Sequence, residues 1–394
     1  MKVFFSLSMV ILSIHGTIFA QIAISGFPLT HGTFNMKSLA LGNAVVSLDG
    51  NYADPHINPA GIGLSGNLQF STGWDTYYQP LKIGIKQRGV HTNYRFGKSS
   101  LGLSIQYLET GDQITTGYIN YSPHFKFNSK DIFVKGIYSH DFNNGLSLGG
   151  AINYMYGGEG SASDFSHQWI DASDNWSIDV GAQYHFPEIG FQDATIYPHL
   201  GLALNDFGSS ANYYDSDIKD PIPTTLRAGG GVRLLSGYKI FGQPLVDILL
   251  LQNVSKLMVR TEERFFEGRY HYDPMNPFKA LVHSWDSYRY YDIQSYQRTE
   301  INLVEQLWWH SGVELKLLNT VALRWGRQDA SKSEEELSYH AIGLGINLQY
   351  LAFDYTSIKN KEKGNYLEGN HWQLTGRIPL DGKHPDTILH HLFN

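Results

Sequence analysis

Two-residue alternation, repeated along most of the chain, is the feature that most restricts what this sequence can fold into. Leu101, Leu103, Ile105 and Tyr107 alternate with Gly102, Ser104 and Gln106, and the same rhythm runs through 146–156, 176–186 and 342–350. A strand places successive side chains on opposite faces, so each segment has one apolar face and one polar or small face. Fourteen candidate strands follow, near residues 67–75, 87–96, 99–110, 131–141, 145–157, 175–186, 195–205, 224–235, 244–254, 309–318, 320–327, 338–349, 350–357 and 370–379. The segment 244–254 fits least well, because Ile248-Leu249-Leu250-Leu251 does not alternate.

The connections narrow the choice. Those at 97–98, 142–144, 187–194, 236–243, 318–319 and 349–350 are short, whereas those at 111–130, 158–174, 206–223, 255–308, 328–337 and 358–369 are long and polar. An even strand number with alternately short and long connections is the pattern of an outer-membrane barrel, with short turns toward the periplasm and long loops outside. A secreted array of β-sandwiches shares the alternation but does not require that asymmetry. The expected fold class is all-β: a transmembrane antiparallel β-barrel of about 14 strands with an N-terminal hatch or plug segment. The 40 Gly, 25 Tyr, 21 Phe and 8 Trp suit strands with one lipid face. Beyond residue 20 no run of 18 apolar residues occurs, so only a closed barrel is expected to span a bilayer. A net charge of −7 gives no reason to expect nucleic acid as a partner. The absence of Cys excludes disulfides, thiolate metal sites, thiol nucleophiles and a lipid-modified N-terminal Cys.

The chain divides into a signal peptide (1–20), a hatch (21–65), the barrel with its long loop 255–308 (66–380) and a periplasmic tail (381–394). Lys2, the apolar run after it and Ala20 at the cleavage position direct the chain out of the cytoplasm and to the cell outer membrane. The stretch 38–63 is rich in small residues, poor in charge, and ends in Asn58-Pro59-Ala60-Gly61. A barrel of this strand number is wider inside than its own side chains can fill. The stretch is therefore expected to pack in the lumen; the alternative is an ordinary lead-in to the first strand.

Candidate lumen charges are Asp179, Arg227, Arg233, Glu314, Arg324 and Asp354, with His185, His199, Lys316 and Arg377 on the same inward rows. Their mixed signs favour a salt-bridged lumen over a single-sign ion filter. Gly229-Gly230-Gly231 sits in a strand pattern, where it reads as curvature or close lumen packing. No Gly-x-Ser-x-Gly, His-Glu-x-x-His or Walker loop is present, so neither an enzyme nor a cofactor is expected. Asp215, Asp217 and Asp220 lack the Gly and terminal Glu of an EF loop, and His384, His390 and His391 have no further ligand fixed beside them. No metal is expected at either place. The 255–308 connection is dense in aromatics and Arg, and Phe265, Phe266, Tyr270, Trp285 and Tyr290 are its candidate partner-docking residues. The same residues would equally pack the loop on itself as a cover over the barrel.

Leu41-Gly42-Asn43-Ala44, Asp54 and Asn58-Pro59-Ala60-Gly61, in that order, resemble the N-terminal signature of FadL-like outer-membrane proteins. Ile222-Pro223-Thr224-Thr225-Leu226-Arg227 with Gly229 and Gly231, Val313-Glu314, Ala322-Leu323-Arg324-Trp325-Gly326, and Ile342-Gly343-Leu344-Gly345 leading into Phe353-Asp354-Tyr355 resemble the PorV/PorQ branch among them. The resemblance implies a fourteen-stranded barrel with its N-terminal segment folded into the lumen, and a hatch motif of Gly42, Asp54, Asn58, Pro59, Ala60 and Gly61. It also implies two functions. A PorV/PorQ-like accessory of type IX protein secretion or surface presentation, holding exported proteins or secretion-machinery components on its outer loops, is the preferred one. A FadL-like transporter, passing a hydrophobic ligand through the hatch and a lateral wall opening, is the alternative. A structural or adhesive surface protein is a third reading. Outer-membrane lipid is a partner in all three. One departure stands out: residues 381–394 follow the last strand, where PorV-like chains usually end with the strand itself.

Overall fold

The computed structural model describes residues 33–378 apart from 34, 51–52, 65–67, 77–85, 110–112, 116–124, 128–129, 158–172, 212–218, 267–268, 293–296, 349 and 361–367. The expected signal peptide, the hatch before residue 33 and the tail 381–394 lie outside the described residues, as do Asp215 and Asp217.

Fourteen long strands form one closed sheet. They are β1 (Leu68–Thr76), β2 (Lys86–Phe96), β3 (Ser99–Glu109), β4 (Lys130–Asp141), β5 (Leu146–Gly157), β6 (Ser173–His185) and β7 (Ala194–Gly208), followed by β8 (Thr225–Ser236), β9 (Val246–Leu257), β10 (Leu307–Leu317), β11 (Val321–Asp329), β12 (Tyr339–Asn347), β13 (Leu351–Asn360) and β14 (Gly369–Ile378). Each pairs antiparallel with its neighbours in sequence. Closure comes from β14 returning to β1, in register from Leu68↔Ile378 to Trp74↔Trp372. Among the described residues the fourteen long strands leave no open edge, which is what a β-structure in lipid requires of its backbone.

Side-chain alternation follows the ladder. In β6 Asn175, Ser177 and Asp179 are buried, while Trp176, Ile178 and Val180 are exposed on the outside. The exposed face elsewhere carries Leu103, Ile152, Leu200, Leu202, Leu250, Leu323, Ile342, Leu344 and Leu374. A water-facing surface does not hold a contiguous apolar belt of this size. Rings mark both margins of the belt: Phe96, Phe142, Tyr184, Phe186 and Tyr350 near the short turns, Trp176 and Trp309 toward the long loops. Such aromatic girdles sit at the two bilayer interfaces. No helix among the described residues is long and apolar enough to cross a membrane.

The poorly alternating run now has a cause. Leu250 faces outward, but Leu249 and Leu251 face inward and are buried against Leu41, Val45, Val46 and Leu48. An inner face that meets apolar protein instead of water takes leucine on both sides of the strand, so alternation disappears there. The strand is also shifted from 244–254 to Val246–Leu257. Strand β7 is longer than its expected 195–205, because a register shift between Leu204 and Phe207 carries it on to Gly208.

Leu344→Arg places a charge in the middle of the outer belt and is expected to cost roughly 2–4 kcal/mol. Unfolding titrations in vesicles, with Leu344→Met as the reference, measure it.

Candidate functional site: the plugged lumen

The described residues between 33 and 64 lie inside the ring. A short helix, α1 (Met36–Ala40), starts at Asn35, whose side-chain oxygen accepts from the Lys37 and Ser38 amides. It packs against β11 to β14. Gly42 and Asn43 then adopt positive φ, 63° and 60°, and turn the chain across the lumen. At the far side a 3-10 turn, Pro59–Leu64, rests on β2 to β6. Leu39, Leu41, Ala44, Val46, Ala60 and Ile62 have almost no exposed surface.

The wall admits this segment because its inner face is bare at the points of contact. A Cβ built on Gly149 of β5 would lie 2.6 Å from Ala60 Cα, and one on Gly181 of β6 would lie 3.0 Å from Pro59 Cδ. The corresponding approaches are 2.8 Å between Gly201 of β7 and Ser47 Cα, 2.7 Å between Gly312 of β10 and Leu41 O, and 2.5 Å between Gly326 of β11 and Ala40 O. Real Cβ contacts are essentially never this short, so the plug touches wall backbone directly, by its main chain at four of these glycines and by the Asn58 and Pro59 side chains at Gly181. Gly42 faces the reverse constraint, since its own Cβ would meet the Arg327 backbone. The triplet Gly229 to Gly231 serves differently: wall side chains Asn253, Leu200 and His199 cross over it.

Wall side chains satisfy the plug's backbone groups. Asn58 Nδ2 donates to Val46 O at 2.6 Å and to Ala182 O of β6 at 3.2 Å, and Asn58 Oδ1 accepts from the Ala60 amide at 3.0 Å. Gln183 donates to Val46 O at 3.0 Å and Leu48 O at 2.7 Å. Ser139 donates to Ala60 O, His310 to Gly42 O and Thr356 to Met36 O. His199 Nδ1 and Ser47 Oγ are 2.8 Å apart. Asp54 is buried within the plug, accepting from Thr33 Oγ1 at 2.6 Å and the His56 amide at 3.0 Å. Burial pushes its carboxyl above the usual range, against the pull of those bonds.

Two ionic clusters line the lumen. In the first, Arg233 pairs with Asp247 at 2.7 Å, Asp247 with Lys316 at 3.3 Å, Lys316 with Glu314 at 3.7 Å, Glu314 with Arg324 at 2.7 Å and Arg324 with Asp354 at 2.8 Å. The plug joins this chain through Lys37, 3.6 Å from Asp354. Burial lowers the Lys37 ammonium to about 8, opposed by Asp354. In the second, Lys135 is ion-paired with Asp179, whose Oδ1 accepts from Asn153 at 2.7 Å and from the Asp206 amide at 2.8 Å. Asp206 has φ 54° and lies in the β7 register shift. Asp179 thus holds the irregular point of the wall.

Of the residues singled out by sequence, the hatch group Gly42, Asp54, Asn58, Pro59, Ala60 and Gly61 lies together in the lumen, all buried. Arg233, Glu314, Arg324 and Asp354 share the first cluster, and Asp179 belongs to the second. Arg227 stands apart beside a small cavity lined by Asn43, Thr225, Ser255, Trp308, His310 and Gln328, with its Nε unbonded. In the long loop, Phe265, Phe266 and Tyr270 lie in a hairpin of Thr261–Phe266 with Arg269–Pro274, and Tyr290 lies in a second hairpin of Tyr288–Asp292 with Gln297–Ile301. The side chains of those four are outside the described residues, whereas Trp285 is 46% exposed. The loop is centred on buried Arg260, which donates to Ser284 O, Asp286 O and Gln306 Oε1 and stands over the Tyr288 ring. Lys37, Lys135, Asp206, Asp247, Gln183 and His310 were not foreseen; each acts on a partner far away in sequence, and no local spacing marks it.

The fold and its filling define a closed, internally plugged transmembrane β-barrel. No family model matches the sequence, and no curated protein matches it. Among solved structures, the chain is similar to the toluene transporter TodX of Pseudomonas putida (TM-score 0.46, 10% identity, 92% of this chain and 98% of that chain). It is also similar to the toluene transporter TbuX of Ralstonia pickettii (TM-score 0.42, 12% identity, 88% and 98%). A further likeness is to CdiB of Acinetobacter baumannii (TM-score 0.37, 8% identity, 79% of this chain), where the match spans 60% of that protein's length.

Gly149→Val is expected to unseat the plug without opening the ring, giving raised ion conductance in planar bilayers while heat-modifiable gel migration is retained. Gly136→Ala, where nothing lies within 4 Å of the new Cβ, should leave conductance low. Asn58→Ala removes the acceptor of the Ala60 amide and one of the two donors to the Val46 carbonyl, and should weaken plug seating by about 1–3 kcal/mol, read as more frequent open-channel events.

Proposed function

We propose that this chain is an outer-membrane carrier of hydrophobic small molecules, working in the manner of FadL-like proteins. The observation that carries the reading is the apolar interface between plug and wall. Leu41, Ala44, Val45, Val46, Leu48 and Ile57 pack on Ala203 of β7 and on Leu249 and Leu251 of β9. This contact lies on the strand that carries the Leu204/Phe207 register shift, the irregular point of the wall. A small movement of the plug there would uncover the apolar inner surface of Ala203, Leu249 and Leu251. Dispersion and hydrophobic contacts have no directional requirement, so a hydrophobic solute can replace them as the plug moves. The hatch motif, which resembles the N-terminal signature of FadL-like proteins, supports the same reading.

A PorV/PorQ-like role in type IX secretion is the second reading, supported by the built outer loop with its two hairpins and exposed Trp285. It requires exported proteins to co-purify with the full chain and to be lost on deletion of 258–306.

The carrier reading is tested by locking the plug. The chain has no Cys, so Ser47→Cys/His199→Cys introduces a single disulfide-forming pair at side chains now 2.8 Å apart. Uptake of a radiolabelled long-chain alcohol by cells should fall to background when the pair is oxidised and recover on reduction. Unchanged uptake through the oxidised form would refute plug-gated transport.

A further inference from the structure

The helix α2 (Pro277–His283) of the long loop turns the wrong face outward for a helix in water. Asn276 caps it through Phe278 N at 3.0 Å and Pro277 occupies its first position. Ala280 and Ser284, four residues apart, form the buried side. Phe278 and Val282, also four apart and so on one face, are 70% and 69% exposed. A solvated loop helix would carry polar residues there.

The position of that face identifies what covers it. Phe278 meets Phe207 edge-on, with ring centroids 5.0 Å apart. Phe207 is paired with Ile178 across the β7–β6 ladder, and directly opposed residues of a ladder share a face. Ile178 lies on the outer, lipid-facing surface between Trp176 and Val180, all three exposed. Phe207 is therefore on the outside of the barrel, near the long-loop end of its strand, and the helix that covers it leans over the rim onto the outer wall. Its apolar face adjoins the lipid belt at the Phe207–Ile178 pair. Lys279, well exposed on the same helix and 3.8 Å from Glu262, is placed to reach headgroup level.

We propose that α2 is an interfacial foot of the long loop, with Phe278 and Val282 inserted among the acyl chains of the outer leaflet. The loop is then held at two places, by Arg260 inside its own core and by α2 in the membrane. This does not depend on what the barrel carries. Amphipathic helices that lie in a bilayer interface bury an apolar face at about the acyl–headgroup boundary.

The Cys-free full-length chain allows a direct test. Single variants Phe278→Cys, Val282→Cys, Ile178→Cys and Glu300→Cys are labelled with a thiol-reactive bimane and reconstituted into vesicles whose lipids carry a nitroxide near the top of the acyl chain. Positions 278 and 282 are exposed, so their replacement leaves the loop core intact. Ile178 gives the lipid-embedded reference and Glu300, on the exposed hairpin, the aqueous one. Quenching at 278 and 282 close to that at 178 is the expected result. Quenching no greater than at 300 overturns the proposal and leaves the face to a soluble protein partner.

Discussion

A ring of fourteen paired strands encloses more room than its inward side chains can occupy, and the rest of this structure answers to that excess. The ring itself is fixed by backbone pairing, because an open edge in lipid would leave amides and carbonyls unbonded. Filling must come from elsewhere in the chain. The N-terminal segment supplies it, and the wall is shaped to receive a backbone instead of a set of side chains. Gly149, Gly181, Gly201, Gly312 and Gly326 lie on five strands, each where the plug presses closest, by its main chain at four of them and by the Asn58 and Pro59 side chains at Gly181. Asn58, Gln183, Ser139, His310 and Thr356 meet the polar groups that a backbone in this position cannot pair by itself.

The two sides of the lumen hold the plug by different forces. Toward β7 and β9 the contact is mainly apolar, with the Ser47–His199 hydrogen bond as its polar link to β7. Toward β10, β11 and β13 it includes the ionic chain ending at Lys37. Buried ion pairs contribute little net stability once desolvation is counted, yet breaking one strands its partner at a cost of several kcal/mol. They resist displacement in a way that aliphatic contact does not. The α1 side is therefore the anchored end, further secured by Met36 and Leu39 against Tyr339, Ala341 and Ile358. The Val45–Leu48 side is held by apolar contact and hydrogen bonds instead.

Much of the wall was legible in the sequence because a strand with lipid on one side and a polar lumen on the other must alternate. The segments expected near 99–110, 145–157 and 320–327 appear as Ser99–Glu109, Leu146–Gly157 and Val321–Asp329. Legibility failed where an environment broke that rule. Leu249 and Leu251 face apolar protein, so β9 lost its rhythm. Phe207 is outside the wall and Asp206 turns back toward Asp179, and no periodicity announces a register shift. The lumen charges were visible as mixed signs, but their pairing was not. Arg233 binds Asp247 and Arg324 binds Glu314 across strands, and register decides this. The long loop showed its aromatics but not its hairpins, since Arg260 organises it through carbonyls that any residue could supply.

The plug's seat has a temporal side. Met36 donates to Gln373 on β14, and its carbonyl accepts from Thr356 on β13. Gly42, well before the first strand in sequence, fits against β10 and β11. The segment made first is therefore completed last. Until β13 and β14 are in place, the Met36 end of the plug lacks its polar partners. Sealing belongs to the final moment of assembly. A chain interrupted before β14 would lack both its closing strand and part of its stopper at once, so that incomplete molecules fail as pores and as plugs together.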